Sequence, residues 1–462
     1  MEKPVKIKEI PAPGNRLVPW TLAFIPFLYL VYSIVKYRVD VPFWDQWDLV
    51  PFLAKSYQGT LSLADLWSQH SEHRIFFPRI IMIGLARLTG WDISYELAVN
   101  ILIGIGIFSV LVYQLKRTAS AVGAGGSAWI IPVLSLIAFS LTQWENWLWG
   151  WQMQVFLNVF AVAAGMVLLA RPVFSWPRFL GALMMGLVAT FSFANGIAYW
   201  LIGLLTLVFL LFGSSDQRRA FRLAIIMWVV VAGIVVWFYL HGYHKPSYHP
   251  SVWVFLHQPF GFLRYEVTYL FAPVAPNLFT FLLTFPALIA CWYFSRLLIR
   301  ARYIQFQTLL PYVAMSLYVL ASACITGVGR VGFGSGQAGQ SRYVTISSLL
   351  WISAVIVLWL FVAHLKKLEL SPRKKNMLRI VALYSILMIA YLAALRSAYS
   401  LDFAAIKYRY LSSARSELLS GKDPDHLDDD LLRHLYIRAD FVREGLKVLQ
   451  TYHLSIYRDV SP

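Results

Sequence analysis

The sequence predicts an all-α protein that threads a membrane about eleven times. Three observations predict it. Hydrophobic residues make up 59% of the chain and charged residues only 14%, with a mean hydropathy of +0.61. A water-soluble domain of 462 residues needs a more polar exterior, whereas lipid solvates an apolar one. The apolar residues come in unbroken runs of about 20, the length a helix needs to cross a bilayer, and not in the short alternating segments of a barrel. Short basic loops also alternate with longer aromatic ones along the whole chain.

The runs fall near 17–37, 95–115, 128–143, 151–170, 178–194, 197–213, 223–241, 278–297, 307–326, 343–364 and 378–396. Lys3, Lys6, Lys8 and Arg16 precede the first run and no small-residue cleavage site follows it, which reads as an uncleaved first span. Only Asn195-Gly196 separates 178–194 from 197–213, as a tight turn between spans or a kink in deeper helices. One loop set is short and basic: Lys116-Arg117, 171–178, 218–222, 296–302 and 366–379. The other is longer and aromatic: 38–94, 144–150, 241–277 and 327–342. Basic loops stay on the cytoplasmic side, so the N-terminus is expected inside and the C-terminal tail outside. The formal charge of +17 sits mostly in those loops, which argues against a nucleic-acid-binding face. Cys291 and Cys324 lie in apolar runs without metal-ligand spacing and read as packing residues.

Two segments outside the spans carry further structure. In loop 38–94, Ile75 to Leu88 is apolar but short and holds Arg79 and Arg87, so it reads as an interfacial helix. The tail 397–462 reads as a small helical appendage to a transmembrane domain 1–396. Asp428-Asp429-Asp430 suits a helix N-terminus, and Leu431, Leu432 and Leu435 begin an apolar stripe. No phosphate-binding Gly loop, nucleophile elbow or zinc-protease motif is present.

Four clusters in the aromatic loops carry chemistry. Asp40, Asp45 and Asp48 follow the first span, interleaved with Phe43, Trp44 and Trp47. They read either as a membrane-surface aromatic belt with solvated acids, or as a carboxylate base beside rings that stack on a sugar. His70, Glu72, His73, Arg74 and Arg79 come next. Their arginines suit a lipid phosphate or ordinary headgroups. His70, Glu72 and His73 could bind a divalent metal, but their spacing is not that of a recognisable site, so no metal or other cofactor is assigned. The third cluster packs Trp144, Trp147, Trp149 and Trp151 into one turn, with Glu145, Asn146 and Gln152 as sugar-hydroxyl partners. The fourth is the Gly-rich loop 327–342 with Arg330, Arg342 and Tyr343, where backbone N–H groups and two guanidinium groups suit an anion. His241, His244 and His249 lie in the loop 241–277.

This layout resembles the GT-C glycosyltransferases, integral membrane enzymes that take a sugar from a polyprenyl-phosphate carrier. The resemblance rests on Asp45 and Asp48 after the first span, the interfacial segment His73 to Gly90, the span from Asp92 to Leu115, and the late Ser341-Arg342-Tyr343 loop. It is nearest the aminoarabinose and protein-mannosyl transferase branches, and uncharacterised bacterial members. It implies the extracytoplasmic face of a bacterial cytoplasmic (inner) membrane and an inverting single displacement. The acceptor would be an envelope glycan, lipid or protein. Asp45 would be the base with Asp48 as alternate. Arg74, Arg330, Arg342 and Tyr343 would hold the donor phosphate, and Trp44, Trp47, Glu72, His73, Glu145, Asn146, Trp147 and Gln152 the substrate. The Asp-Glu or Asp-x-Glu pair common in the class is missing, so the choice between Asp45 and Asp48 stays open. The rival functions are a lipid-linked-sugar transporter or flippase and a polysaccharide polymerase.

Overall fold

The computed structural model describes residues 17–213, 216–275, 277–420 and 423–459. Lys3, Lys6, Lys8 and Arg16, which carried part of the expected orientation, lie outside them. Among the described residues the regular secondary structure is all helix, apart from a single backbone bridge between His70 and His73.

The first span is α1 (Leu17–Tyr37). A tight turn of 3-10 helix over Trp44–Leu49 follows, then α2 (Val50–Tyr57), α3 (Leu63–Trp67) and α4 (Phe76–Thr89). These short helices fill the connection to α5 (Ile93–Ala121). Gly90, in the left-handed region at φ 64°, ends α4 where an L side chain would be strained. The bundle continues through α6 (Ile131–Ala138), α7 (Trp144–Leu148), α8 (Met153–Leu169), α9 (Trp176–Thr190), α10 (Ala198–Gly213) and α11 (Arg218–Leu240). Short α12 (Val254–His257) and α13 (Pro259–Phe271) precede α14 (Leu278–Arg300), α15 (Phe306–Arg330), α16 (Ser341–His364) and α17 (Pro372–Leu418). The chain closes with α18 (Asp429–Leu435) and α19 (Ala439–Thr451).

Ten helical segments among the described residues are long and apolar enough to cross a membrane, which makes this a multi-pass membrane protein. The eleventh expected run forms α9, whose 15 residues rise only about 22 Å against a hydrocarbon core of about 30 Å. Yet it carries the chain from the basic 171–175 connection to the end where Phe193, Ala194 and Asn195 line the same cavity as the first connection. It turns back through Ala194–Ile197 into α10, so Asn195-Gly196 is a turn and not a kink. Helix α16 is buried along almost its whole length, and its sequence has no polar face because neighbours surround it on all sides.

Helix α17 departs from the expected boundary at 396/397. It runs 47 residues without a break, about 70 Å, so the tail begins as a rigid extension of the last span. The rest of the tail packs onto the first connection. Trp47, Val50, Leu53 and Met82 share one core with Leu432, Leu435, Leu446 and Leu449. Gly445 makes the closest approach: a Cβ there would stand 2.9 Å from the Trp47 ring. At the rim, the Ser455 N–H donates to the Gly90 carbonyl at 2.8 Å, and Arg458 lies 3.5 Å from Asp40 and 3.3 Å from Asp92. The first connection and the tail therefore fold as one unit at one end of the bundle.

Truncating the fully buried Trp47 to Ala leaves a cavity in that shared core, at a cost of about 3–5 kcal/mol. The expected outcome is a lower thermal midpoint and rapid proteolysis between α17 and α19. A variant as resistant as the parent would mean that the two segments do not depend on each other.

Candidate functional site

At the end of the bundle where the first connection and the tail meet, a cavity of about 1920 Å³ opens. Its walls come from the Asp45 turn, the hairpin at His70–His73, the turn before α8, the starts of α8 and α16, the ends of α11 and α15, and the upper part of α17.

The acidic wall follows from how the Trp44–Leu49 turn is anchored. A 3-10 helix has three residues per turn, so Asp45 and Asp48 eclipse each other on one side. The residues between them are pinned to the opposite side. Gln46 is buried and donates through Nε2 to Glu96 Oε2 at 2.7 Å, while its Oε1 accepts the Phe43 N–H at 3.2 Å. Trp91 Nε1 donates to the other Glu96 oxygen at 2.9 Å. Gly150 faces this carboxylate so closely that a Cβ would collide with it. With Gln46, Trp47 and Leu49 turned inward, the two aspartates face the cavity.

His70 stands across from them. Its Nε2 lies 3.7 Å from Asp45 Oδ2, and its Nδ1 lies 3.7 Å from Asp48 Oδ2. The imidazole rests edge-on against Trp151, with ring centroids 4.8 Å apart. A two-way backbone bridge to His73, 2.8 Å in each direction, fixes its hairpin. Ser71 within that hairpin (φ 49°) and Trp44 before the aspartates (φ 47°) both sit in the left-handed region without being glycine, a local strain that the surrounding packing sustains. The tail adds Tyr436, whose hydroxyl donates to Asp48 Oδ1 at 2.9 Å. Burial pushes the Asp48 carboxyl above its ordinary range, against the pull of His70 and Tyr436. One nitrogen of His70 and one oxygen of each aspartate lie within 4.8 Å of one another, so these three could hold a metal ion. The trio weighed from sequence, His70, Glu72 and His73, does not form such a group.

The second wall centres on Glu72. Arg330 forms a close ion pair with its Oε1, Ser71 donates to its Oε2, and His249 Nε2 stands 3.4 Å away. Burial works against the Glu72 charge, but His73, Arg330 and Ser71 reverse this and hold the carboxyl well below its ordinary range. His73 is fully enclosed, and burial lowers its value to about 4. It is thus neutral at pH 7, which leaves Arg330 as the effective countercharge. His73 Nδ1 accepts the Ala194 N–H at 3.1 Å, so the ring proton sits on Nε2, toward Glu72.

The Trp-rich turn and the start of α16 are stapled together. The Arg342 N–H donates to Glu145 Oε2 at 3.0 Å, and the Glu145 N–H donates to Ser341 Oγ at 3.1 Å. Asn146 Nδ2 donates to the Arg342 carbonyl at 3.0 Å and to Thr345 Oγ1 at 2.6 Å. These bonds use the backbone of Arg342 and leave its guanidinium at the cavity, where Nε has no partner. The next residue, Tyr343, lines the same cavity with its hydroxyl buried toward Tyr265.

Ten of the residues expected from sequence line this cavity: Trp44, Asp45, Asp48, Glu72, His73, Glu145, Gln152, Arg330, Arg342 and Tyr343. Four expectations are corrected. Arg74 is not free for a phosphate, because its three guanidinium nitrogens donate to the carbonyls of Tyr239, Trp67 and His241. Trp47 belongs to the loop–tail core, and Trp147 is buried against Gly104 and donates to the Ser140 carbonyl. Asn146 positions Arg342 from behind the wall. Arg79 reaches the cavity but uses Nη1 on the carbonyls of Asp65, Leu66 and Ser68.

Sequence reasoning missed Lys407 and Tyr436. Lys407 is buried with Nζ 4.4 Å from the centre of the Phe43 ring, near Trp144 and Trp149, and donates to the Leu148 carbonyl at 3.2 Å. Its signal was present: Lys407 interrupts a buried stripe of Ala404, Leu411, Ala414 and Leu418 at helical spacing. Tyr436 carries no local signal, since only the docking of the tail brings it to Asp48. Comparison of the chain with protein-family models, with curated proteins and with solved structures finds no match.

Replacing Arg330 with Met leaves Glu72 charged and enclosed, with an expected cost of about 3–5 kcal/mol at pH 7. Adding Glu72→Gln to that variant should restore part of the loss, as a double-mutant cycle of thermal midpoints would show. Because folding lowers the Glu72 value, the pair's stabilisation is complete above about pH 5 and fades as the pH falls. Additive losses, or a gap that widens toward acid, would remove the pair from this role.

Proposed function

We propose that the protein is a membrane glycosyltransferase of the GT-C kind, moving a sugar from a polyprenyl-phosphate carrier to an envelope glycan, lipid or protein acceptor. The observation that carries this reading is the pairing of two kinds of group in one cavity. Among the described residues, Asp45 and Asp48 face it without a Lys or Arg at ion-pair distance, while Arg342 lines it with its Nε unpartnered and Tyr343 lines it next to Arg342. An acceptor hydroxyl needs a base, and a departing phosphate needs fixed donors.

Asp45 takes the proton of the acceptor hydroxyl in this reading, with Asp48 as the alternate. The raised value of Asp48 brings it nearer the range in which a base works at neutral pH. Arg342 and Tyr343 hold the donor phosphate, and Arg330 adds charge from the Glu72 pair. Trp44, Trp149 and the stacked rings of Trp144 and Phe403, 6.3 Å apart, supply flat apolar walls suited to a sugar or a prenyl chain. In this reading the cavity opens on the extracytoplasmic side, which the basic loops at the opposite helix ends support, and the GT-C resemblance supplies the bacterial inner membrane. A transporter would place its site at the bilayer midplane on broken helices. Here the lining residues come from loops, from helix termini and from the part of α17 near the tail.

The test is transfer by purified protein given a lipid-linked donor. Asp45→Asn, Asp48→Asn and the double variant are compared with the parent. The true base should lose about 10²–10⁴ in turnover, and Arg342→Ala about 10²–10³. Wild-type turnover in the double Asn variant would exclude both aspartates as the base.

A further inference from the structure

We infer that Asp45, Asp48 and His70 form a binding site for one divalent cation with affinity for mixed oxygen and nitrogen ligands, such as Mn²⁺ or Zn²⁺. This deepens the proposed function, because it rests on the same carboxylates, and it can be measured without any sugar.

The distances carry the first part of the argument. The two His70–Asp separations are 3.7 Å, too long for hydrogen bonds. Ligand atoms held about 2.1 Å from one ion stand roughly 3.0–3.4 Å apart when adjacent and about 4.2 Å when opposite. The two separations involve opposite ring nitrogens, of which an ion takes one. One nitrogen of His70 and one oxygen of each aspartate lie within 4.8 Å of one another, so the three groups converge without bonding and need close in only modestly on an ion.

Charge carries the second part. Among the described residues, Asp45 and Asp48 have no ion-pair partner except the imidazole. Arg79, whose charge acts on Asp48 from beyond ion-pair distance, is committed through Nη1 to three backbone carbonyls. Two carboxylates with no Lys or Arg at ion-pair distance among the described residues leave charge that a divalent ion would neutralise.

The supports of the ligands carry the third. Tyr436 engages Asp48 Oδ1 and so leaves Oδ2, the oxygen facing His70, for the ion. Gln46 and Trp47 fix the turn below, and Trp151 fixes the imidazole from the side. Partners that orient ligands from behind are a regular part of metal sites. Gln154 also lines this cavity and is nearly buried, and its enclosed Oε1 is an acceptor with no donor among the described residues. One imidazole and two carboxylates favour Mn²⁺ or Zn²⁺ over Mg²⁺ or Ca²⁺, which prefer oxygen alone. With three protein ligands at a cavity wall, coordination positions remain open for an oxygen of a bound ligand, as in catalytic metal sites.

The experiment uses the purified full chain in lipid nanodiscs, stripped with a chelator and titrated with Mn²⁺. Binding is followed by electron paramagnetic resonance, with pulsed detection of coupling to an imidazole nitrogen. The expected result is one ion per chain with a nitrogen signal. His70→Ala should abolish that signal, and Asp45→Asn and Asp48→Asn should each weaken binding by about tenfold or more. Asp440→Asn, on the exposed tail, should bind as the parent does. No stoichiometric ion in the parent overturns the site, and so does a nitrogen signal that survives His70→Ala. The parent measurement stands even if a variant fails to fold. A parent that binds Mn²⁺ but transfers no sugar keeps the cation site and removes the transferase reading. A parent that transfers sugar without binding Mn²⁺ does the reverse.

Discussion

Glu96 is completely buried at the start of α5, where it accepts hydrogen bonds from Gln46 at 2.7 Å and from Trp91 at 2.9 Å. Much of the site follows from this interaction. It ties the turn after the first span to the second long helix, and that tie decides which side of the turn faces inward. Gln46 and Trp47 go into the protein, so Asp45 and Asp48 go to the cavity. A carboxylate in this position is costly unless both oxygens are satisfied, and here both are. Close approach by Gly150 completes the enclosure.

The same turn links the two cores of the molecule. Its inward-facing Trp47 packs against Gly445 on α19, and its outward-facing Asp48 accepts from Tyr436 just after α18. The tail therefore acts as part of the cavity wall, and the long α17 is the strut that carries it there. A helix with no break at the membrane surface transmits position rigidly, which suits a wall that must meet an aspartate within hydrogen-bond distance.

Much of the site's composition was legible in the sequence. The four polar clusters all lie in the aromatic loops, and alternation of loop charge puts those loops at one end of the bundle. The bilayer is the reason: a lipid-facing span tolerates few charges, so chemistry collects at the helix ends. What was not legible is how each side chain spends its hydrogen bonds. Arg74, Arg330 and Arg342 look alike in sequence. In the structure one holds three carbonyls, one pairs with Glu72, and one keeps an unpartnered nitrogen at the cavity. Asn146 and Trp147 sit beside Glu145 in sequence yet turn away from the cavity, because their own bonds go to α16 and to Ser140.

The sequence by itself determined that the chain is a multi-pass helical protein and where its spans run, because span length and apolar composition are local properties read directly against the thickness of a bilayer. It left Asn195-Gly196 open between a turn and a kink, and the structure decided for a turn between α9 and α10. The tertiary structure decided which polar residues meet. His70 comes to Asp45 and Asp48 across a hairpin, Tyr436 reaches Asp48 from nearly four hundred residues along the chain, and Lys407 enters a ring of aromatics contributed by two other loops. Those meetings depend on packing between distant segments, which no local pattern encodes.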